Sequence, residues 1–479
     1  MALAGSIIGA VIVALDGTVL TVAQPSLQRD LHASFVQVQW TSTGYLIAVA
    51  ALLVFAGRLG DRYGHQRVFA LGILGFGAAS AGIALAPGVG WVIALRIVQG
   101  IFGALLQPAT LGMLRATYPP DEIGMPIALR TSAIGLAAAA GPVIGGALTA
   151  RLGWQSVFLL NVAPALAIGV LALLVRIPTL ARIPTPRQTA SATRLDLPGA
   201  CLLATALACL VHTLVGIPES GWTATTALGL VAATAAGIAF VRHERRTTSP
   251  LVPPAVLGSA TVASALGVLL SASAAMFGTL FVATYFLQDV LALDPLQSAL
   301  RVLPLAAMMV LSAPASAVLQ RRQGPRRTTA AAMALLAVGI LLLSRLDQSS
   351  SAVAIGGGFL LLGAGFGTVM VTATAVIVRH ASVADAGVAG GLQQTAMNIG
   401  PALGVAAATM LVTLAAPSGA GHPPAPGDGP HWSGPAFTSA MGTTLTALAA
   451  VAAAGALLAV RLPGRTARRR AEPPSASAA

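Results

Sequence analysis

Along this chain the polar residues do not alternate with apolar ones, as half-buried strands would require. They collect in short clusters between apolar runs of about 20 residues, each able to cross ~30 Å of hydrocarbon as one helix. Fourteen such runs are read, at 5–24, 37–57, 68–87, 91–113, 125–150, 156–176, 196–216, 222–241, 261–283, 296–319, 329–345, 352–376, 389–414 and 439–461. The run 329–345 is short and 400–416 is broken by Gly and Pro, which leaves thirteen or fifteen open. A membrane barrel would show alternating segments of ~10 residues, and the pattern lacks them.

Composition supports this reading: 56% of the chain is hydrophobic and 9% charged, against ~25% charged in soluble domains. The expectation is an all-α polytopic membrane protein lying in a lipid bilayer. The formal charge of +13 comes from 27 basic residues, all arginine. With a cytoplasmic N-terminus, Arg29, Arg151 and Arg345 fall in outer loops and Arg96 and Arg301 within runs. The other 22, Arg130 among them, lie in or beside inner segments. That asymmetry is the positive-inside pattern and places both termini in the cytoplasm of a plasma-membrane protein. It also removes nucleic acid as a partner, since the charge sits in short loops where it meets anionic lipid. Trp40, Trp91, Trp154, Trp222 and Trp432 all fall on the outer side, and four of them sit at helix ends, as an interfacial belt requires. The first run lacks a basic leader and reads as a retained spanner. Cys201 and Cys209 are ~12 Å apart on one helix, too far for a disulfide, and no metal-ligand spacing surrounds them.

Organisation follows from a repeat. YGHQR (63–67) and QGPRR (323–327) occupy loops of the same type at an offset of 260. Six helices, two inserted helices and six more account for that offset, and repeated halves around a central site are transporter architecture. The expected units are an N-terminal half (1–176), a cytoplasmic linker (177–195), a two-helix insert (196–241), a second linker (242–260), a C-terminal half (261–461) and a basic tail (462–479). Residues 415–437 read as an irregular outer loop and the tail as disordered.

Asp16 stands in the middle of the first run, IIGAVIVALDGTVLTVAQP (7–25). A carboxylate at helix centre costs ~2.5–3.5 kcal/mol on insertion scales, and taking up a proton removes the charge. Arg96 lies at comparable depth in the fourth run, where the two could meet; snorkelling to the outer interface is the other reading. Asp16 therefore reads as a proton carrier or as a structural partner of Arg96. Gln99 and Gln107 in the fourth run are cavity candidates, and Gln393, Gln394 and Asn398 in the thirteenth are cavity candidates or interhelical glue. His212 reads as a packed residue of the insert, with a proton relay as the lesser possibility. In GRLGDRYGHQR (57–67), Gly57, Gly60 and Gly64 allow a close turn. Asp61 can accept from a helix N-terminus and pair with an arginine; with Arg62 and Arg67 it forms a candidate conformational latch. Gly135, Gly141, Gly145 and Gly146 with Pro142 make a small-residue, kink-prone face.

These stretches resemble motifs of the major facilitator superfamily. GRLGDRYGHQR resembles its signature loop, RIVQGIFGALLQP (96–108) its helix-4 motif and GLAAAAGPVIGGAL (135–148) its antiporter motif. LDGTVLTVAQPSL (15–27) is similar to the helix-1 motif of the fourteen-spanner drug:proton antiporters. The resemblance covers essentially the whole chain. It implies two six-helix halves plus a two-helix insert and a proton-coupled exporter of small amphipathic compounds, with protons as the coupling ion and no cofactor. Arg321 stands where Asp61 would map in the second half, and His65 and Gln66 replace basic positions of the loop. With Asp16 nearly alone as a buried acid, a neutral or weakly charged lipophilic substrate is expected, and a monomer. Proton-coupled transport of a sugar or amino acid is the alternative. An enzyme on lipid-linked substrates is disfavoured, because His422, Asp428 and His431 sit in a Gly/Pro-rich segment that cannot fix their geometry.

Overall fold

The structure, a computed structural model, describes residues 2–175, 195–220, 223–248, 250–253, 256, 258–293, 295–382, 385–415 and 434–464. Most of the expected first linker, outer loop and tail, with Trp222, Trp432, His422, Asp428 and His431, lie outside them. Fourteen long helices form the described fold. The N-terminal half comprises α1 (Ala2–Asp30), α2 (Phe35–Tyr63), α3 (His65–Ala84), α4 (Val89–Thr117), α5 (Gly124–Leu152) and α6 (Gln155–Leu174). The insert is α7 (Leu197–Ser220) and α8 (Ala224–Glu244). The C-terminal half comprises α9 (Ala260–Tyr285, continued by a π-turn over Phe286–Val290), α10 (Pro295–Gln323), α11 (Pro325–Leu343), α12 (Ala352–His380), α13 (Ala386–Ala415) and α14 (Gly434–Ala459). Thirteen are long and apolar enough to cross a membrane, and α5 makes the fourteenth, with its segments before and after Pro142 bent by 43°. Missing backbone donors at proline explain such bends.

The repeat is visible in the backbone. Gly64, between α2 and α3, has φ +93°, and Gly324, between α10 and α11, has φ +85°. Both turns need the left-handed region that glycine enters without strain.

The two halves differ inside. The C-terminal half has one continuous apolar core running from Val262 on α9 to Ala459 on α14. The N-terminal half has two, one around Phe69, Phe76 and Leu106 and another around Val19, Trp154 and Phe158. Between them, every helix but α5 changes from apolar to polar at one level: Asp16 follows Ile12, Thr41 follows Val38, Ser80 follows Phe76, Arg96 follows Val92 and Asn161 follows Phe158. Trp154 does not join an interfacial belt. It is fully buried, edge-on to Phe158 at 6.1 Å.

The halves meet near one end, where the α2–α3, α4–α5, α10–α11 and α12–α13 turns gather their arginines. This is the arginine-rich face. An apolar seal there joins Leu114, Ile123, Ile127 and Ala128 to Ala313, Ala317, Val371, Ala375 and Val378. Toward the opposite face, α1 and α9 make no comparable contact among the described residues. The insert lies over the seam between α2 and α13. Ala200, Leu202 and Leu203 of α7 pack with Val54, Phe55 and Val388, while Leu214 and Ile217 pack with Ala406. His212 stacks on Trp40 of α2 at 5.6 Å.

Candidate functional site

The polar layer of the N-terminal half closes around Asp16, which is 4% exposed. Its Oδ2 accepts from Arg96 Nη1 at 2.7 Å. Its Oδ1 accepts from Gln99 Nε2 at 3.1 Å and from Asn161 Nδ2 at 3.0 Å. Arg96 also donates from Nε to the Thr41 carbonyl at 2.9 Å and from Nη1 to Gln99 Oε1 at 2.5 Å. Its guanidinium lies 4.4 Å from the Tyr45 ring centroid. Gln99 completes the layer by donating to Ser80 Oγ at 2.7 Å. Helices α1, α2, α3, α4 and α6 are thus tied through one ion pair. Arg96 is 1% exposed and does not snorkel. A buried pair of this kind survives because each charge is opposed and hydrogen-bonded; removal of one partner strands the other, at a cost of ~3–5 kcal/mol.

The signature loop sits where the halves touch. Asp61 Oδ1 accepts from Gly387 N at 2.6 Å and Oδ2 from Val388 N at 3.0 Å, so the carboxylate caps the N-terminus of α13 across the interface. His65 Nε2 lies 3.4 Å from Asp61 Oδ1. Arg58, beside Gly57, pairs instead with Asp385 at 3.4 Å. Arg62 lies over Tyr63, and Arg67 is exposed. Gly57 is indispensable for this approach, because a Cβ there would lie 2.5 Å from the carbonyl carbon of Gly387 and closer still to its oxygen. Gly60 and Gly112 make room for the His65 ring, and Gln66 Nε2 donates to the carbonyls of Ala172 and Val175 at the end of α6. The two departures from the usual loop therefore have structural work of their own.

The glycines of α5 divide between two partners. A Cβ on Gly141 would strike Thr18 of α1, and one on Gly145 would lie 2.9 Å from Val19 Cγ1. Gly135 instead faces Met309 and Val310 of α10, next to the Ser132 Oγ bond to the Val310 carbonyl at 2.8 Å. Gly146 lies looser, 3.8 Å from Val22. Most of this face therefore seals α5 to α1 within one half, and only its first glycine meets the other half.

The five amides expected near a cavity separate. Gln99 is fully buried in the Asp16 cluster. Gln393 is fully buried too, on the face of α13 whose Gly400 and Gly404 abut α9, and both its amide atoms lack a partner among the described residues. Gln107 and Gln394 hydrogen-bond across the interface between halves. Asn398, half-buried, donates to the Gln394 carbonyl at 2.8 Å. Sequence reasoning missed Asn161, Ser80, Thr41 and Tyr45. Of these, Asn161 alone left a signal, as the one carboxamide inside the sixth run. His212 is stacked, as a packed residue would be.

The sequence model of the Major Facilitator Superfamily matches residues 6–405. The chain belongs to that superfamily. This facilitator is 39% identical over 406 residues to the tetracenomycin C resistance and export protein of Streptomyces glaucescens, covering 85% of this chain and 74% of that protein. It is 35% identical over 405 residues to a puromycin resistance protein of Streptomyces alboniger, covering 82% and 78%. To the multidrug resistance protein Stp of Mycobacterium tuberculosis it is 28% identical over 401 residues, covering 83% and 73%. The fold matches the human organic anion transporter MFSD10 with a TM-score of 0.66 at 15% identity, over 95% of this chain and 98% of that one. It matches the proton:xylose symporter XylE at 0.61 and 14%, over 95% and 94%. At such identities the likeness speaks to fold alone. This facilitator is a multi-pass membrane transporter and not an enzyme.

Proposed function

We propose that the protein is a proton-coupled antiporter that exports small amphipathic, lipophilic compounds, antibiotics among them, by alternating access. Its arginine-rich face and both termini are cytoplasmic in this reading, it works as a monomer, and the proton gradient drives it without a cofactor. The observation that carries the coupling is the buried Asp16 with its three side-chain donors. Protonation of Asp16 removes the anion that balances Arg96. Arg96 then keeps the Thr41 carbonyl, Gln99 and the Tyr45 and Phe158 rings, none of them on α1, so α1 is released from α4 and α6. Because α1 is locked to the bent helix α5 by Gly141 and Gly145, a shift of α1 carries α5 with it. Proton binding on the outer side thus becomes motion at the interface between halves. The Asp61 cap on α13 holds the cytoplasmic side closed until that motion breaks it. Export of antibiotic-like compounds is favoured over metabolite uptake by the three relatives named for resistance.

The test is a susceptibility and accumulation panel in a host lacking its own pumps. Expression should lower the intracellular level of at least one antibiotic, and a protonophore should restore it. An accumulation difference that persists after the gradient is collapsed would exclude proton-driven export.

A further inference from the structure

Among the described residues two arginines are almost wholly buried, Arg96 at 1% and Arg130 at 3% exposure. Their surroundings are opposite. Arg96 has a carboxylate, an amide, a carbonyl and an aromatic face. Arg130 has no hydrogen bond, ion pair or ring contact among the described residues, and its Nε is sealed off without a partner. Arg115 and Arg379 also bury an Nε, but each has another interaction. The carboxylates nearest in sequence, Asp121 and Glu122, are exposed on the turn before α5. A buried guanidinium cannot shed its proton, and an isolated buried charge is costly unless an anion opposes it.

Position narrows the anion. Arg130 follows Ile127 and Ala128, which belong to the apolar seal between the halves, by less than one turn. Parting the halves at the arginine-rich face would open that layer, and Arg130 is the buried charge just behind it. It is turned about 100° on the helix from Leu129, which is 40% exposed and lines an open pocket with Leu3, Tyr118, Glu122 and Arg321. It lies instead on the side that Gly141, three turns on, presents to α1.

We propose that Arg130 is an anion-binding subsite for the exported compound, which carries an oxyanion, a carboxylate or phenolate, on an apolar body. The planar fork matches such a group bidentately, and Ile127, about one turn before it on α5, belongs to the apolar layer that suits the remainder. This rests on the export reading and adds the substrate's charge to it. It also replaces the expectation of a neutral or weakly charged compound.

The test uses the full chain in nanodiscs of neutral phosphatidylcholine, with anthraquinone-2-carboxylate and its methyl ester as probes and equilibrium binding as the readout. The wild type should bind the carboxylate about tenfold or more tightly than the ester, the lower end of what a charge-assisted hydrogen bond contributes. Arg130→Gln should erase that preference and Arg130→Lys should keep part of it. Arg130→Met should melt no lower than the wild type in anion-free buffer, whereas a purely structural arginine would lower the melting temperature. Equal binding of the two probes by the wild type, or equal loss of both in Arg130→Gln, overturns the proposal. Competition by added phosphatidylglycerol would overturn it in favour of a lipid phosphate. Binding is read without transport. A carboxylate preference with no export would therefore sink the export reading alone, and export with no preference would sink the subsite alone.

Discussion

Gly57→Ala is the sharpest perturbation of the contact between the halves. The new Cβ would lie 2.5 Å from the Gly387 carbonyl carbon, against an optimum of ~3.5–4.0 Å between carbons. Both atoms are on helix backbones, so relief requires α2 and α13 to separate by about 1 Å. The Asp61 bonds to Gly387 N and Val388 N, 2.6 and 3.0 Å, span the same gap. Stretched by that amount they pass the limit of ~3.5 Å at which a hydrogen bond ceases to count. Two bonds to a charged group are worth ~1.5–3 kcal/mol each. Water can replace part of that at a half-buried site, which leaves a loss of about 2–4 kcal/mol for the closed arrangement, or about 30- to 1,000-fold in population. The assay is the distance between spin labels at Tyr63 and Gln323, pseudo-equivalent exposed residues ending α2 and α10. The wild type should give a short population, and Gly57→Ala a majority at longer distance. An unchanged distribution in a folded variant would refute the inference that this glycine contact holds the arginine-rich face shut.

Three further outcomes follow from the site. Asn161→Leu removes one donor to Asp16 and should lower stability by about 1.5–3 kcal/mol, read as a melting shift; no shift would mean the polar layer does not depend on α6. Gly141→Ala forces a Cβ into Thr18 and should cost about 1–3 kcal/mol. Thr18→Ala in the same chain should recover part of that, and failure to do so would point to strain elsewhere in α5. His212→Ala should dequench Trp40 fluorescence and cost about 0.5–1.5 kcal/mol. An unchanged emission would remove the α2–α7 stack as a fastener of the insert.

What the chain discloses by itself depends on how costly each feature is in a membrane. Asp16 and Arg96 stand out because a charge in an apolar run is expensive, so their meeting could be expected from depth alone. The fourteen helices and the Gly64/Gly324 repeat were legible for the same reason: length and arginine placement leave few other arrangements. Asn161 was not, since a single amide among apolar residues is inexpensive enough to be glue anywhere. Arg130 was misleading. A basic residue near a helix start ordinarily belongs to a cytoplasmic margin, and only packing reveals that it is 3% exposed. Gln393 stayed open between two readings, because a polar residue on a small-residue helix suits a cavity as well as the α9 face it occupies. The place of α7 over the α2–α13 seam had no signature, as a lipid-facing side and a helix-facing side of a span are both apolar. Trp154 looked interfacial from its position at a helix end and is buried because the α5–α6 turn folds it inward.

The central claim is that Asp16 exchanges a proton for each step of substrate movement. The direct measurement is proton flux in liposomes containing the full chain, driven by a gradient of an exported compound and followed with an internal pH dye. The wild type should move protons against the compound's direction. Asp16→Asn should abolish that flux while compound still binds. Proton movement that survives in Asp16→Asn, or compound movement in the wild type with no proton counterflow, would contradict the account.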